Sequence, residues 1–227
     1  PPAAGAVFDP SDNPFKIRGS ITVLTPNGTE INASAWRVNS GTIPNSHGIS
    51  WSRTGAFGNV DVQYSTTNGS SYTDITGCVN ISVNTCSPWT IPAAARSDTA
   101  KIRVRAPNVS YQTDTLGESP TFHIKGNLDV TYPDGNETLD ANAPITITWN
   151  NAGLLPGENV EIKYATDGVN FTNTITGSPF GGDTDPPTGV NNGQAAWTPQ
   201  TTSSTYKIKV TSLNDANITS TSGTTFT

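Results

Sequence analysis

Short runs of alternating apolar and polar residues recur along the whole chain. In one of them, Val60, Val62 and Tyr64 share one face of an extended segment, while Asp61 and Gln63 lie on the other. This alternation is typical of a β-strand with one buried face. Clusters of Gly, Pro, Asn and Asp separate the runs, as turns do between short strands. The pattern predicts an all-β fold.

One of these runs is repeated at the length of a domain. The segment Phe122–Gly126 has a close echo at Phe15–Gly19 and a truncated one at Phe226–Thr227. A period of about one hundred residues indicates tandem copies of one unit. We interpret the segment as the closing strand of one domain, continuing through a basic residue and a glycine into the next domain. This predicts repeat one at 20–126 and repeat two at 127–227, with residues 1–19 as the closing strand of a preceding repeat or as an intermolecular strand.

The two repeats have the same order of predicted strands and turns. The run at Val160–Tyr164 matches that at Val60–Tyr64, and Asp167-Gly168 matches Asn68-Gly69, a dipeptide typical of tight hairpins. About seven short strands in about 105 residues predict a β-sandwich for each repeat. Repeat one differs in one place, because its segment between Glu30 and Trp51 is nine residues longer than the equivalent segment of repeat two.

Composition and charge narrow the classes of partner. The net charge is −6, which argues against nucleic acid, because phosphate contacts need clustered Lys and Arg. No apolar run approaches the roughly 20 residues of a membrane helix. The chain contains no Met, so we expect a mature product or an excerpt of a longer protein.

The two cysteines, Cys78 and Cys86, lie eight residues apart. The composition is typical of a secreted protein, which favours a disulfide between them over two free thiols. A bridge closing so short a loop would contribute about 2 kcal/mol in the chain-entropy model. Repeat two has Gly177-Ser178 at the matching place. The bridge is therefore predicted to hold one loop and not to be a requirement of the fold.

The motifs resemble those of the extracellular immunoglobulin-like repeats of bacteria and archaea, which are related to the Ser/Thr-rich wall-anchored domains of the Kre9/Knh1 type. The resemblance covers both repeats and the tail, and it is carried by Pro26–Glu30, Ile49–Trp51, Trp89–Pro92, Ile102–Val104, Val160–Tyr164, Asp167-Gly168 and Ser119–Ile124. It implies tandem immunoglobulin-like β-sandwiches that act as a spacer or stalk in a long secreted or surface protein. The family has no common active site, so function has to be argued separately.

The sequence offers little for catalysis. The two histidines are His47, in a loop with no nearby acid, and His123, which alternates with apolar neighbours and is predicted to face outward. No nucleophile elbow, zinc-binding helix or phosphate loop occurs. We expect a chain that is not an enzyme and that needs no cofactor. Calcium is the one open alternative, because Asp183 and Asp185 place two carboxylates in one loop, although such pairs are more often solvated turn residues.

Trp36 is the aromatic residue with the most open role. It lies in the longer segment of repeat one, where an exposed indole could stack on a sugar or on a neighbouring subunit. The alternative is that the segment folds back and buries it. An adhesin or glycan-binding module that uses the Trp36 loop and the 177–195 loop is therefore a second functional hypothesis.

Asn-x-Ser/Thr triplets are candidate glycosylation sites if the host modifies them. Their number only slightly exceeds chance for this composition. They begin at Asn27, Asn32, Asn68, Asn80, Asn108, Asn136, Asn170 and Asn217.

The leading functional hypothesis is a non-catalytic structural module of an extracellular stalk, surface protein or filament. Its expected partners are neighbouring immunoglobulin-like domains or copies of itself, with cell-surface glycans as an alternative. In a sharper version, Phe15 and Ile17 of the tail complete a sheet of another molecule by strand addition; covalent continuation into another domain explains them more simply. A third hypothesis is an accessory region of a secreted hydrolase.

Overall fold

The computed structural model describes residues 19–38, 46–56, 58–107, 115–155, 157–181 and 191–227. They form strands almost throughout, with two 3₁₀ turns at Asn32–Ser34 and Ala93–Ala95, which confirms the predicted all-β class. The strands of repeat one are β1 (Ser20–Thr25), β2 (Trp36–Arg37), β3 (Ser46–Thr54), β4 (Asp61–Ser65), β5 (Thr73–Asp74), β6 (Thr85–Thr90), β7 (Ser97–Arg105), β8 (Leu116–Glu118) and β9 (Phe122–Lys125). Those of repeat two are β10 (Asn127–Tyr132), β11 (Ile145–Ala152), β12 (Asn159–Ala165), β13 (Asn173–Thr174), β14 (Phe180–Gly181), β15 (Asn191–Trp197), β16 (Lys207–Ser212) and β17 (Thr219–Thr221).

Each repeat is a sandwich of two sheets. In repeat one, β1-β3-β6 faces a sheet ordered β2-β9-β7-β4-β5, in which β8 also pairs with β7. In repeat two, β10-β11-β15 faces β13-β12-β16-β17, in which β14 also pairs with β12. The pairs are antiparallel except for β2 and β9, which run parallel. These are the two tandem β-sandwiches that the strand pattern predicts, in the immunoglobulin-like arrangement that the motif resemblance implies; β2 is formed by the longer segment of repeat one.

Two separate hydrophobic cores lie between the sheets. The first includes Val60, Val62 and Val104, the cross-strand partner of Val62, and the second includes Val160 and Ile162 in the places that match Val60 and Val62. Apart from Ala152, which belongs to the first cluster, the two cores fall on either side of residue 126, and the domain boundaries themselves stay predictions.

The outer face of β4 is less exposed than its alternation implies. Asp61 and Gln63 lie opposite the core-facing valines, as predicted, yet they are only 5% and 6% exposed. Their cross-strand partners cover them: Arg105 Nη2 lies 3.3 Å from an Asp61 carboxylate oxygen, and Arg103 donates two hydrogen bonds to Gln63 Oε1. The backbone N–H of Asn80 also donates to Asp61. Cross-strand polar pairing therefore buries side chains that periodicity alone places in solvent.

The predicted hairpin is confirmed in repeat one and differs in repeat two. Asn68 and Gly69 have φ values of 53° and 86°, as a type I′ turn requires, whereas in repeat two only Gly168 is left-handed, at 74°. Asp167 instead accepts the backbone N–H groups of Val169 and Asn170, and these hydrogen bonds hold the pKa of Asp167 at about 2. The two dipeptides thus close equivalent hairpins by different means.

Candidate functional site: the junction between the repeats

The chain passes from β9 to β10 through one residue, Gly126. A Cβ atom added at Gly126 would lie 3.0 Å from the carbonyl oxygen of Gly153 and 3.2 Å from that of Ala152. Ala152 ends β11 of repeat two, yet it belongs to the hydrophobic cluster of repeat one. The two sandwiches are therefore in direct contact at the point where the chain crosses between them.

The extra segment of repeat one forms β2 and extends into this contact. Trp36 and Arg37 of β2 pair with Ile124 and Lys125 of β9, and the backbone N–H of Val38 donates to the Lys125 carbonyl at 3.0 Å. This pairing extends the sheet of repeat one by one strand, at the end of the sandwich that faces repeat two.

Two residues of this segment contact repeat two directly. Val38 is fully buried, and a Cβ added at Gly153 would lie 2.9 Å from its Cγ2 atom. Arg37 donates one hydrogen bond to the carbonyl oxygen of Gly126 (3.1 Å) and another to that of Asn217 (2.5 Å). The nine-residue difference between the repeats therefore supplies part of the contact that joins them.

Trp36 is buried, which confirms the second of the two possibilities for its segment and leaves no exposed ring for a sugar. The side chain is 5% exposed. Its ring stacks on His47 at a centroid distance of 4.6 Å and meets Phe122 and Trp89 edge-on at 4.9 and 6.0 Å. These contacts anchor β2 to the core of repeat one through the aromatic cluster.

His47 supports the same segment and is not placed as a catalytic base. Its Nε2 atom accepts the backbone N–H of Arg37 at 3.4 Å. Burial lowers the pKa of His47, and the carboxylate of Glu30 opposes that shift only in part. A neutral imidazole suits this arrangement, because the acceptor nitrogen must stay unprotonated.

A buried ion pair crosses the junction. The Arg96 guanidinium lies 2.5 Å and 3.4 Å from the two carboxylate oxygens of Glu158 and also donates to the carbonyl of Gly153 at 3.0 Å. The Glu158 side chain is 0% exposed and accepts further hydrogen bonds from the Leu155 N–H and the Ser212 hydroxyl.

The surroundings of Glu158 favour its charged form. Burial acts to raise the pKa of Glu158, but the hydrogen bonds from Arg96, from the Leu155 N–H and from Ser212 outweigh it, so the pKa lies below its usual value. A fully buried carboxylate therefore stays ionised because a residue of the other repeat donates to it.

A second ionic contact lies beside the first. Lys125 Nζ is 2.6 Å from Asp98 in its own repeat and 2.7 Å from Asp215 in repeat two. Burial acts against ionisation of both Lys125 and Asp215, yet their hydrogen bonds raise the pKa of Lys125 and lower that of Asp215 to about 2. Asp215 also accepts hydrogen bonds from the backbone N–H and from the side-chain amide of Asn217. The backbone carbonyl of Asn217 is the one that accepts a hydrogen bond from Arg37. His123 lies nearby, partly exposed, with Nδ1 3.7 Å from Asp98.

The sites predicted from sequence have different outcomes in the structure. It confirms the disulfide between Cys78 and Cys86, whose Cα atoms are 5.7 Å apart. Phe15, Ile17, Asp183, Asp185 and Asn108 lie outside the described residues, within which no cluster of three or more metal-ligating side chains occurs. Six candidate glycosylation sites are exposed: Asn27, Asn32, Asn68, Asn80, Asn136 and Asn170. Asn217 is instead half-buried in the junction, and a glycan on its amide would compete with Asp215.

The ionic residues of the junction were not singled out from sequence. Arg37, Arg96, Lys125, Glu158 and Asp215 lie far apart along the chain, and only Lys125 stood in a recognised motif, beside the hinge glycine. The available signal was the longer segment of repeat one, combined with charges present in one repeat and missing from the matching place in the other.

Comparison with known proteins gives resemblances of fold only. No family model matches the chain, and no curated protein does. Among solved structures, the fibronectin(III)-like modules of Clostridium thermocellum CbhA match 88% of this chain and 90% of their own, at 13% identity and a TM-score of 0.24. The FN1–FN3 domains of chicken CNTN1 match 77% of this chain and 59% of their own, at 15% sequence identity and a TM-score of 0.28. The structure of Dpr2 Ig1–Ig2 in complex with DIP-Theta Ig1–Ig3 matches 91% of this chain and 64% of its own, at 9% sequence identity and a TM-score of 0.30. The described part of the chain has no helix with the length and hydrophobicity that crossing a bilayer requires.

Replacing Trp36 by Ala tests its structural role. We expect Trp36→Ala to lower the free energy of unfolding by about 3–5 kcal/mol, since it leaves a cavity among Trp89, Phe122 and His47. Chemical denaturation followed by circular dichroism measures the loss. An unchanged midpoint would mean that the indole contributes nothing to the core.

Replacing Arg96 tests the ionic contact between the repeats. We expect Arg96→Leu to destabilise the chain by about 3 kcal/mol, because it leaves the Glu158 carboxylate buried without its cation. Differential scanning calorimetry should also show the unfolding of the two repeats becoming less coupled. Arg103→Leu is the matched control, since Arg103 lies on β7, which begins directly after Arg96, and its contacts with Gln63 and Tyr72 lie within repeat one. Equal effects of the two variants would contradict a special role for Arg96.

Proposed function

We propose that the chain is a non-catalytic spacer that holds two immunoglobulin-like domains in one fixed relative orientation within a larger protein. The observation that carries this is the pairing of Arg96 with the fully buried Glu158 across a one-residue connection. Bending at Gly126 would expose or separate these charges, and leaving a buried charge without its partner costs several kcal/mol. The Lys125–Asp215 contact and the packing of Val38 on Gly153 oppose the same motion.

We place this spacer outside the cell, as part of a stalk or surface protein. Support comes from the disulfide, which persists in oxidising compartments, and from the exposed position of six candidate glycosylation sites. The resemblance to extracellular bacterial and archaeal repeats, noted from the motifs, agrees with this location. Neighbouring immunoglobulin-like domains are the proposed partners, since repeat two already serves repeat one in that way.

The glycan-binding alternative has lost its main support. It relied on an exposed Trp36, and that ring is covered by His47, Phe122 and Trp89. No feature of the described residues favours it over the spacer.

A distance measurement tests the fixed orientation and its ionic basis together. Spin labels introduced as noncanonical residues at the exposed positions Thr73 and Thr174 report the separation of the repeats without disturbing the disulfide. We expect a narrow distance distribution, unchanged between about pH 8 and pH 5. A broad distribution at neutral pH would contradict the proposal.

The direction of the pH effect follows from the pKa shifts. Glu158 and Asp215 both have folded-state pKa values lowered below those of the unfolded chain. Their contribution is therefore complete above the unfolded pKa values, about 4, and is lost as the pH falls towards 2. The distribution should widen in that acid range and be wider at every pH in Arg96→Leu, but not in Arg103→Leu.

Assembly into a filament through the tail is a finer proposal that rests on the sequence alone. Residues 1–18 lie outside the described residues, so the support is the echo of Phe122–Gly126 at Phe15–Gly19. If the tail adds a strand to another copy, deleting residues 1–19 should abolish fibres in electron micrographs of the chain at high concentration. Assembly that is unchanged by the deletion would refute strand addition.

A further inference from the structure

The contacts at the junction come from two different sets of residues. Repeat one contributes what we call the donor set, Arg37, Val38, Arg96, Asp98 and Lys125. Repeat two contributes the acceptor set, Gly153, Glu158, Ser212, Asp215 and Asn217. If the junction were the general joint of a repetitive array, repeat two would carry a donor set at its own far end, and repeat one an acceptor set at its near end.

Strand register identifies the residues of repeat two that match the donor set. Ala100 lies opposite Phe122 in repeat one, and Tyr206 lies opposite Phe226 in repeat two. Two residues with the same function confirm the alignment: the Ser97 hydroxyl donates to the Thr66 carbonyl, and the Ser203 hydroxyl donates to the Thr166 carbonyl.

With this alignment, Arg96 and Asp98 have no charged counterpart in repeat two. Thr202 stands in the place of Arg96, and Ser204 in the place of Asp98. The far end of repeat two therefore lacks the guanidinium that pairs with Glu158 at the junction.

The aromatic cluster at the far end of repeat two is also built differently. The ring centroid of Tyr206 lies 5.7 Å from those of Trp197 and Phe226. These two rings correspond to Trp89 and Phe122, the neighbours of Trp36 in repeat one. A residue of repeat two itself therefore takes the place that Trp36 of the longer segment takes in repeat one.

The acceptor set is likewise missing from repeat one. Ser20 pairs with Thr54 in repeat one, and Asn127 pairs with Ala152 in the equivalent place of repeat two. The next residues, Gly55 and Gly153, therefore match, and both have a positive φ. Counting two residues back from the matched Val60 and Val160 places Gly58 at the position of Glu158.

The hydroxyl that binds Glu158 is missing as well. Ser212 lies opposite Val160, and Ala106 follows Arg105, the partner of Asp61, so Ala106 takes the place of Ser212. Gly58 is exposed and has no atom within 4 Å of an added Cβ. The near end of repeat one keeps the glycine but not the carboxylate or the hydroxyl that supports it.

We infer that the junction is heterotypic and does not repeat along an array. The far surface of repeat one recognises a following β-sandwich that has a buried glutamate at the position of Glu158 and an Asp-x-Asn turn at the position of Asp215. Neither outer end of the pair reproduces this contact. The inference rests on the proposed function, because it assumes that the inner contact fixes the orientation. It goes further in stating that the pair is one rigid unit, joined to its neighbours or to copies of itself by a different and looser contact.

A duplicated chain tests the inference. The full sequence is followed directly by a second copy that starts at Ile17, so that Phe226-Thr227-Ile17-Arg18-Gly19 restores the spacing of Phe122–Gly126. Spin labels at Thr73 and Thr174 of one copy measure the inner junction. A label at Thr174 of the first copy and one at Thr73 of the second measure the outer junction.

We expect a narrow distance distribution for the inner junction and one at least twice as wide for the outer. An inner distribution that is narrow and an outer one that is equally narrow would overturn the inference and leave the proposed function standing. An inner distribution as broad as the outer would instead overturn the proposed function, and the inference with it. Arg96→Leu in the first copy is the control, and it should widen the inner distribution only.

Discussion

The orientation of the two repeats depends on the charge of Glu158. A carboxylate with no exposure to solvent is strongly disfavoured unless it is paired and hydrogen-bonded. Within repeat two it has the Ser212 hydroxyl and one backbone N–H, and its cation comes from Arg96 of the other repeat. The folded state of repeat two is thereby linked to the position of repeat one. Apolar contact alone would leave many orientations of similar energy, whereas a bidentate ion pair has a narrow range of geometry.

The extra segment of repeat one explains how so short a connection can be stiff. Trp36 anchors the segment, because its ring packs between His47 and the aromatic residues of the core. Arg37 and Val38 then make the contacts with the junction and with repeat two. In repeat two, Tyr206 fills the equivalent place among the aromatic residues. One insertion therefore changes a sandwich that ends in its own residues into a sandwich that presents a surface to its neighbour.

The fold was largely predictable from sequence, while the junction was not. Strand alternation, the repeat of Phe122–Gly126 and the turn dipeptides depend on neighbours along the chain, and each of them led to the correct class of structure. The cysteine pair could be predicted because only one pairing was possible. For Trp36 the sequence left burial and exposure as two possibilities, since the outcome depends on which of two ways a long segment folds.

Ionic contacts across the junction join residues as distant as Arg96 and Glu158, and periodicity carries no information about such pairs. The same limit applies to Asp61 and Gln63. Their alternation places them correctly on the outer face, but their burial depends on arginines of another strand.

Residual dipolar couplings test the central claim, a fixed orientation of the two repeats, most directly. Backbone amide couplings from β1–β9 and from β10–β17 are fitted separately in one weakly aligned sample at neutral pH. A rigid junction predicts alignment tensors of the same magnitude and direction for both sets. Tensors of clearly different magnitude would show independent motion about Gly126 and would contradict the account.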